Sequence, residues 1–122
     1  MLWRKSFLCG VIPTGRKSQR KGADGERELA ALLREYGYPI ERGGSLSFGE
    51  VPDLTGLPGV HIEVKRVERL NILDAMLQAV RDAPSGVIPI VAHRRNNRPW
   101  LVTMRAEDWF ALYRAWEVSR DG

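Results

Sequence analysis

Residues Val51–Lys65 carry the sequence VPDLTGLPGVHIEVK, and this stretch decides the fold. From Val60 onward, apolar and polar side chains alternate, which is typical of a β-strand with two chemically different faces. One face would carry Val60, Ile62 and Val64, and the other His61, Glu63 and Lys65. The glycines and prolines in residues 55–59 predict a hairpin connection back to a shorter strand that includes Asp53.

Working outward from this hairpin, the periodicity predicts helices and strands along the chain after residue 22. The expected helices begin near Ala23 (with Asp24 as N-cap), at Leu70 and at Ala106, and end at Gly37, Ala83 and Trp116. The expected strands cover Tyr38–Arg42, Val51–Leu54, Val60–Arg66, Val87–His93 and Trp100–Met104. A helix between the third and fourth strands requires those strands to be parallel. The fold class is therefore α/β, with a mixed central sheet flanked by helices in αβββαββα order.

Length and composition predict one domain. The chain has 122 residues, of which 43% are hydrophobic and 28% charged, as in ordinary globular domains. We expect residues 22–118 to form this domain and residues 1–21 to form a flexible basic arm. The single cysteine excludes an intrachain disulfide framework and suits the cytoplasm, and no run of about 18 apolar residues predicts a membrane span.

Basic residues are clustered in two segments, although the formal net charge is only +4. The clusters consist of Arg16, Lys17, Arg20 and Lys21 in the arm, and of Arg94, Arg95 and Arg98 after the fourth strand. Either cluster alone is most simply a solvated surface. Together, flanking a carboxylate pair, they are typical of a surface that binds a polyanion.

Asp53, Glu63 and Lys65 are the residues with the clearest chemistry. Two carboxylates and a lysine on one sheet surface are what metal-assisted hydrolysis of a phosphodiester bond needs. The two carboxylates and the carbonyl of Val64 suit Mg²⁺, and Glu26 could join them through water. His61 shares this face, and the simplest interpretation is a partly exposed polar residue, with a role as base or ligand as the alternative. One cysteine and two distant histidines exclude a zinc site of the usual kind.

Five short motifs occur in a characteristic order: Arg20-Lys21-Gly22 before Gly25-Glu26-Arg27, then Arg42-Gly43-Gly44-Ser45, Pro52-Asp53 and Glu63-Val64-Lys65. This ordered set resembles the PD-(D/E)XK nuclease superfamily, and especially its archaeal-type Holliday junction resolvases and related small phage nucleases. The resemblance covers roughly residues 20–94 and implies a restriction-endonuclease-like core.

The resemblance also implies a role for each matching residue. Asp53, Glu63 and Glu26 match the acids that hold the metal, and Lys65 matches the catalytic lysine. Arg27 matches a basic residue near the DNA backbone, and Arg42 and Ser45 match a glycine loop beside the cleaved strand. Gln78 resembles a glutamine of the following helix, although a solvent-exposed side chain is the simpler interpretation. Arg20, Lys21, Arg94 and Arg95 would contact DNA phosphates.

The activity implied by the resemblance is that of a Mg²⁺-dependent DNA endonuclease, with Mn²⁺ as a substitute. Its substrate would be branched DNA such as a four-way junction, in recombination or repair, and symmetrical cleavage favours a homodimer. Two alternatives remain open. One is a nicking or double-strand nuclease of phage or restriction type, and the other is a non-catalytic DNA-binding module on the same fold.

The last predicted helix carries a stripe of large apolar side chains, formed by Trp109, Leu112, Tyr113 and Trp116. Such a stripe is most often buried in the protein's own core. If it is only half covered, it marks a dimer surface.

Overall fold

A computed structural model describes residues 16–43 and 52–121, with side chains from residue 22 onward. Eight elements follow the predicted order of helix, three strands, helix, two strands and helix. They are α1 (Arg16–Glu35), β1 (Glu41–Arg42), β2 (Leu54–Thr55), β3 (Val60–Arg66), α2 (Ile72–Asp82), β4 (Ile88–Arg94), β5 (Leu101–Met104) and α3 (Ala106–Asp121). β3 has the predicted bounds, and most other boundaries lie within two residues of those predicted. The exceptions are the starts of α1, β1 and β2, and the end of α3, which continues to Asp121.

The five strands form one mixed sheet in the order β1-β2-β3-β4-β5. β3 and β4 are parallel along their whole length, from Val60 opposite Ile88 to Arg66 opposite Arg94, and the other neighbouring pairs are antiparallel. The connection from β3 to β4 contains α2, as a parallel crossover requires. The predicted α/β class and the mixed sheet are therefore confirmed.

The two faces of the sheet are covered by different helices. α1 packs its Leu29 and Ala30 against Ile62 and Val64 of β3, in a cluster of buried apolar residues that also includes Ile40, Leu54 and Ala92. α2 buries Ala75, Met76 and Ala79 against Val91 on the opposite face. Because side chains alternate along a strand, β3 sends its polar residues towards the α2 side of the sheet.

Gly25 allows α1 to lie unusually close to β3. A Cβ atom at this position would lie 2.5 Å from the Cβ of Arg66 and 3.2 Å from its Cγ. The glycine is therefore required by the spacing between helix and strand, although glycine is unfavourable inside a helix.

The predicted start of the first helix is wrong. α1 begins at Arg16 rather than near Ala23, and Asp24 is not its N-cap but pairs with Arg27, at 2.9 Å between carboxylate and guanidinium. Arginine, lysine and glutamine dominate the segment before Gly22, and their good helix propensity carries the helix through that glycine. α1 thus crosses residue 21, where we expect an arm to meet the domain; that division itself stays a prediction.

The expectation that the aromatic stripe of α3 belongs to the core is also wrong. No residue of α3 is buried within the described part of the chain. Trp109 and Trp116 remain 49% and 52% exposed, and Tyr113 is the most covered aromatic at 38%. The described residues therefore cover only about half of the stripe.

Among the described residues, no helix combines the length and the apolar character needed to cross a membrane. Val51 and Ser45, both used in the sequence interpretation, lie outside the described residues, as does the arm up to residue 15.

Candidate active site

The candidate site lies where β2 ends beside β3. β2 contributes a single paired residue, Leu54 opposite Ile62, and one further backbone bond from Asp53 N to the Ile62 carbonyl, at 3.0 Å. Beyond that point the N–H of Val64 has no strand partner, and it donates instead to Oδ2 of Asp53, at 2.7 Å. The short strand thereby fixes one carboxylate against the backbone of β3.

Glu63 points to the α2 side of the sheet, where it is buried together with His61. The side chains are 5% and 1% exposed, and Nε2 of His61 lies 2.9 Å from Oε1 of Glu63. Residues at i and i+2 of a strand are neighbours on one face, so the sequence alternation creates this contact. His61 is therefore not a partly exposed strand residue, and that expectation is wrong because the C-terminal half of α2 covers this part of β3.

The ionisation of Asp53 and Glu63 is shifted in the same direction. Burial raises the pKa of Glu63 to about 8, and the negative charge of Asp53 contributes to the increase. Burial also raises the pKa of Asp53, although the hydrogen bond from Val64 and the charge of Lys65 oppose the effect. The two carboxyl groups are close enough to share a hydrogen bond. Ionising both buried acids together is unfavourable, because each negative charge is desolvated and repels the other. A cation between them would remove this penalty.

Burial lowers the pKa of His61 below the usual value for histidine, while the charges of Asp82 and Asp53 act in the opposite direction. The imidazole is accordingly neutral at neutral pH, and one proton joins its Nε2 to the Glu63 carboxyl group. Asp82, at the end of α2, is largely covered and also raises the pKa of Glu63. The histidine therefore orients a carboxylate that is surrounded by other acids.

Lys65 lies two residues beyond Glu63 on the same face of β3, and its Nζ donates to Oε1 of Gln78, at 3.2 Å. Its positive charge lowers the pKa of both Asp53 and Glu63. Gln78 is half buried on α2, so its interpretation as a solvent-exposed side chain is wrong. The amide holds the ammonium group near the two carboxylates.

Glu26 approaches from α1 and is held by Arg42 of β1, whose Nε and Nη2 both donate to Oε1, at 3.1 and 3.0 Å. Burial raises the pKa of Glu26, and the negative charge of Asp53 adds to the increase, which shows that the two acids are within electrostatic range. Arg42 therefore pairs with an acid of the candidate site. It lies immediately before Gly43, the first glycine of the predicted glycine loop.

The donor set of the described residues suits a hard cation. No group of three or more His, Cys, Asp or Glu in residues 16–43 and 52–121 has an arrangement that could hold a metal. Mg²⁺ binds through one or two carboxylates and keeps several waters, so the Asp53–Glu63 pair supplies what it needs from the protein. Glu26 is within electrostatic range but stands apart from that pair.

The predicted DNA-contacting residues differ in their surroundings. Arg27 is exposed and paired with Asp24, and Arg95 is exposed beside Arg98. Arg94 is engaged inside the protein, because its Nη1 pairs with Glu28 and its Nε donates to the Arg98 carbonyl, at 2.6 Å. The side chains of Arg20 and Lys21 and the whole of Ser45 lie outside the described residues.

Sequence reasoning also missed Glu28. Its carboxylate accepts hydrogen bonds from Arg94 and from Nε1 of Trp100, the latter at 3.0 Å. Arg66 lies 3.8 Å from the same carboxylate oxygen. Only the packing of α1 against the end of β3 brings these residues together, and no local pattern in the sequence indicates it.

No protein-family model matches the chain, and no curated protein matches it. Among solved structures, the chain is similar to that of Hjc, a Holliday junction resolvase from the archaeal hyperthermophile Archaeoglobus fulgidus. The two chains share 22% sequence identity, the TM-score is 0.49, and the similarity covers 69% of this chain and 72% of the other.

Proposed function

We propose that this protein is a Mg²⁺-dependent DNA endonuclease that hydrolyses phosphodiester bonds. The observation that carries the proposal is the pair of buried acids, Asp53 and Glu63, with Lys65 held beside them by Gln78. A pair of buried acids whose joint ionisation is penalised is poised to bind a divalent cation. Mn²⁺ would substitute for Mg²⁺, because both accept oxygen ligands.

Each residue of the site has a distinct task under this proposal. Asp53 and Glu63 would hold the ion, with the Val64 carbonyl as a further donor, and the bound ion would polarise the phosphate and activate water. Asp53 is positioned by Val64 N and Glu63 by His61. Both carboxylates are thus fixed by a second hydrogen bond, which is what precise ion binding requires.

Lys65 would stabilise the charge that develops on the phosphate as the bond to the attacking water forms. A fixed cation acts most strongly where water is excluded, and the half-buried Lys65 is held by the Gln78 amide rather than by solvent alone. Glu26, braced by Arg42, would complete the site through water. In this arrangement, the ammonium group of Lys65 would stabilise the transition state, and the carboxylates would bind the metal.

The substrate class follows from charge as well as chemistry. The chain carries a net charge of +4 although its site is acidic, so the basic residues lie elsewhere on the surface. Exposed Arg27, Arg95 and Arg98 suit contacts with backbone phosphates, which provide most of the affinity for DNA. The sequence resemblance favours a four-way junction over linear duplex. Symmetrical cleavage of a junction would need a two-fold dimer with two such sites.

Cleavage of a synthetic four-way junction by the full chain, compared with linear duplex of the same sequence, tests the proposal. We expect Mg²⁺-dependent nicking, faster on the junction. Lys65→Ala should retain binding and lose cleavage by a factor on the order of 10³. Arg114→Ala, which removes an exposed cation from α3, is the matched control and should cleave normally.

Three results would change the assignment. Binding without cleavage in either Mg²⁺ or Mn²⁺ would favour the non-catalytic DNA-binding module. Equal cleavage of junction and duplex would favour a general nicking or double-strand nuclease. Full activity of Lys65→Ala would remove the lysine from the mechanism.

A further inference from the structure

A cavity of about 560 Å³ lies beyond the carboxyl ends of the parallel strands β3 and β4. One side of the cavity is formed by the connection from β3 to α2, and the other by the turn between β4 and β5. Clefts of roughly 300–1,000 Å³ are the usual sites of small ligands, and in open α/β sheets ligands bind outside the carboxyl ends of the strands. The cavity therefore has the size and the position of a ligand site.

Most of the wall of this cavity is apolar. Its aliphatic part consists of Val67, Leu70, Ile72, Pro99 and Leu101. Leu101 is 56% exposed, so a large part of its side chain is available to a ligand. Covering such a wall is favourable only for a ligand that has an apolar or aromatic body. An inorganic anion has no such body and would leave the wall in water.

Positive charge is concentrated at the rim of the cavity. Arg69, Arg95 and Arg98 are exposed there, and none of their guanidinium groups pairs with an acid among the described residues. Arg94 also lines the cavity, but it is engaged by Glu28. Three guanidinium groups are therefore available to an anion.

Glu68 is the only acid among the described residues that line the cavity. Its Oε2 lies 3.8 Å from Nη1 of Arg66 and accepts a hydrogen bond from the backbone N–H of Asn96, at 2.8 Å. Its negative charge is thus compensated within the protein, and the charge that faces a ligand is positive. The cavity therefore complements an anion that carries a flat or apolar group.

The cavity adjoins the candidate active site through one row of side chains. Lys65 of β3 lies opposite His93 of β4, and His93 lies opposite Leu101 of β5. Paired residues on neighbouring strands point to the same face, so the row lies on the α2 side of the sheet. Two strand spacings of about 4.8 Å separate Lys65 from Leu101 by roughly 10 Å, which is the rise of about three nucleotides along one DNA strand.

We propose that this cavity binds one unstacked nucleotide, with the base against the aliphatic wall and a phosphate against Arg95 and Arg98. Arginine suits this ligand because it binds phosphate and also stacks on bases. The nucleotide would be an unpaired nucleotide of DNA or a free mononucleotide, since both present a base and a phosphate. Only its link to cleavage rests on the proposed function, because the binding itself needs neither metal nor reaction.

Titration of the isotope-labelled full chain with deoxythymidine 5′-monophosphate, in a chelator, tests the free nucleotide. We expect the backbone amide resonances of residues 67–70 and 95–101 to shift, because these residues surround the cavity. The amides of β1, at the far edge of the sheet, should not shift. Inorganic phosphate at the same concentration is the control for the base, and it should leave the amides of the aliphatic wall unchanged.

A DNA duplex with a short single-stranded overhang tests the unpaired nucleotide. Its affinity is compared with that of the same duplex whose overhang is abasic, by fluorescence anisotropy in the chelator. The abasic overhang keeps every phosphate, so the comparison isolates the bases. We expect the intact overhang to bind about tenfold more tightly, as is usual when one base is covered by a protein surface.

Two substitutions on β5 locate the contact. Leu101→Asn removes part of the aliphatic wall and should remove most of the preference for the intact overhang and most of the mononucleotide shifts. Val102→Asn is the matched control, because this neighbouring residue is 60% exposed on the opposite face of the sheet, and it should preserve both effects. Both side chains are exposed, so circular dichroism should show folded proteins.

The outcomes separate the sources of the nucleotide and the fate of the proposal. Amide shifts with the mononucleotide support a free ligand, and a preference for the intact overhang supports an unpaired nucleotide of DNA. The absence of both effects in the full chain would overturn the proposal, as would identical shifts with inorganic phosphate combined with equal affinity for the two overhangs. Equal losses in Leu101→Asn and Val102→Asn would also overturn it.

Failure of this proposal is distinguishable from failure of the proposed function. A protein that prefers the intact overhang but never cleaves DNA would retain the nucleotide site and lose the nuclease assignment. A protein that cleaves DNA, binds no mononucleotide and ignores the bases of the overhang would retain the nuclease assignment and lose the nucleotide site.

Discussion

β3 has two faces that are buried to nearly the same extent but differ in what burial does to them. Ile62, which is 1% exposed, packs under α1 and stabilises the fold through the removal of apolar surface from water. His61 and Glu63 are 1% and 4% exposed on the α2 side, where burial makes ionisation of Glu63 costly. Depth of burial therefore does not distinguish core from site in this strand. The two faces differ in the sign of the free energy of burial, which is favourable for Ile62 and unfavourable for the ionised form of Glu63.

The largest expected effect is on the polar face. Glu63→Gln keeps the shape of the side chain but removes a charge that we propose binds the metal, so the cleavage rate should fall by a factor on the order of 10³. The same change relieves repulsion with Asp53, and the free energy of unfolding at pH 8 should rise by about 1 kcal/mol. Cleavage assays and urea titration measure both effects. Unimpaired cleavage would show that the polar face is not the site.

The apolar face should behave in the opposite way. Ile62→Ala removes buried methyl and methylene groups from the cluster beneath α1, and the free energy of unfolding should fall by about 3 kcal/mol. Under the proposed function, the remaining folded protein should bind Mg²⁺ normally, because none of the proposed metal ligands is altered. Val60→Ala, at a less buried position of the same face, is the matched control with a smaller loss. A change in Mg²⁺ affinity larger than the loss of stability would mean that the two faces are coupled.

A smaller expected effect is a pH dependence of the free energy of unfolding, which arises from the polar face of β3 and not from the apolar face. Glu63 has a pKa of about 8 in the folded state and an ordinary value of 4.5, so the folded protein holds a proton that the unfolded chain releases. Stability from this group is fully present below pH 4.5 and is lost as the pH rises towards 8. Between pH 7 and 8.5, where most histidine in the unfolded chain is neutral, the metal-free protein should lose about 1 kcal/mol.

The check is thermal unfolding in a chelator at several pH values, repeated with saturating Mg²⁺. Asp53 and Glu26 have raised pKa values as well and act in the same direction. Bound Mg²⁺ should reverse the trend, because it binds the ionised carboxylates more tightly as the pH rises. Glu63→Gln should flatten the pH dependence, and an equally steep slope in that variant would assign the effect to other groups.

Sequence patterning predicted β3 within a residue because strict alternation between two face types occurs only in a strand of this kind. The same alternation put Glu63 and Lys65 together, and the ordered motifs added Asp53 and Glu26. The burial of His61 and the contact of Gln78 with Lys65 were not predictable, because both depend on how α2 crosses the sheet. Helical periodicity locates an apolar stripe but not whether the rest of the fold covers it, which is why α3 was assigned to the core.

The missing side chain of Gly25 has a consequence for any attempt to move this site into another protein. Gly25 precedes Glu26, and a single added carbon there would collide with Arg66. Relief of that collision would lift α1 from β3 and draw the helix acid away from the strand acids, with every polar residue unchanged. A design that copied only the acids and the lysine would contain the same functional groups, but Glu26 would lie too far from the acids of the strands. The glycine therefore helps to define the geometry of the candidate site, although it supplies no chemical group to it.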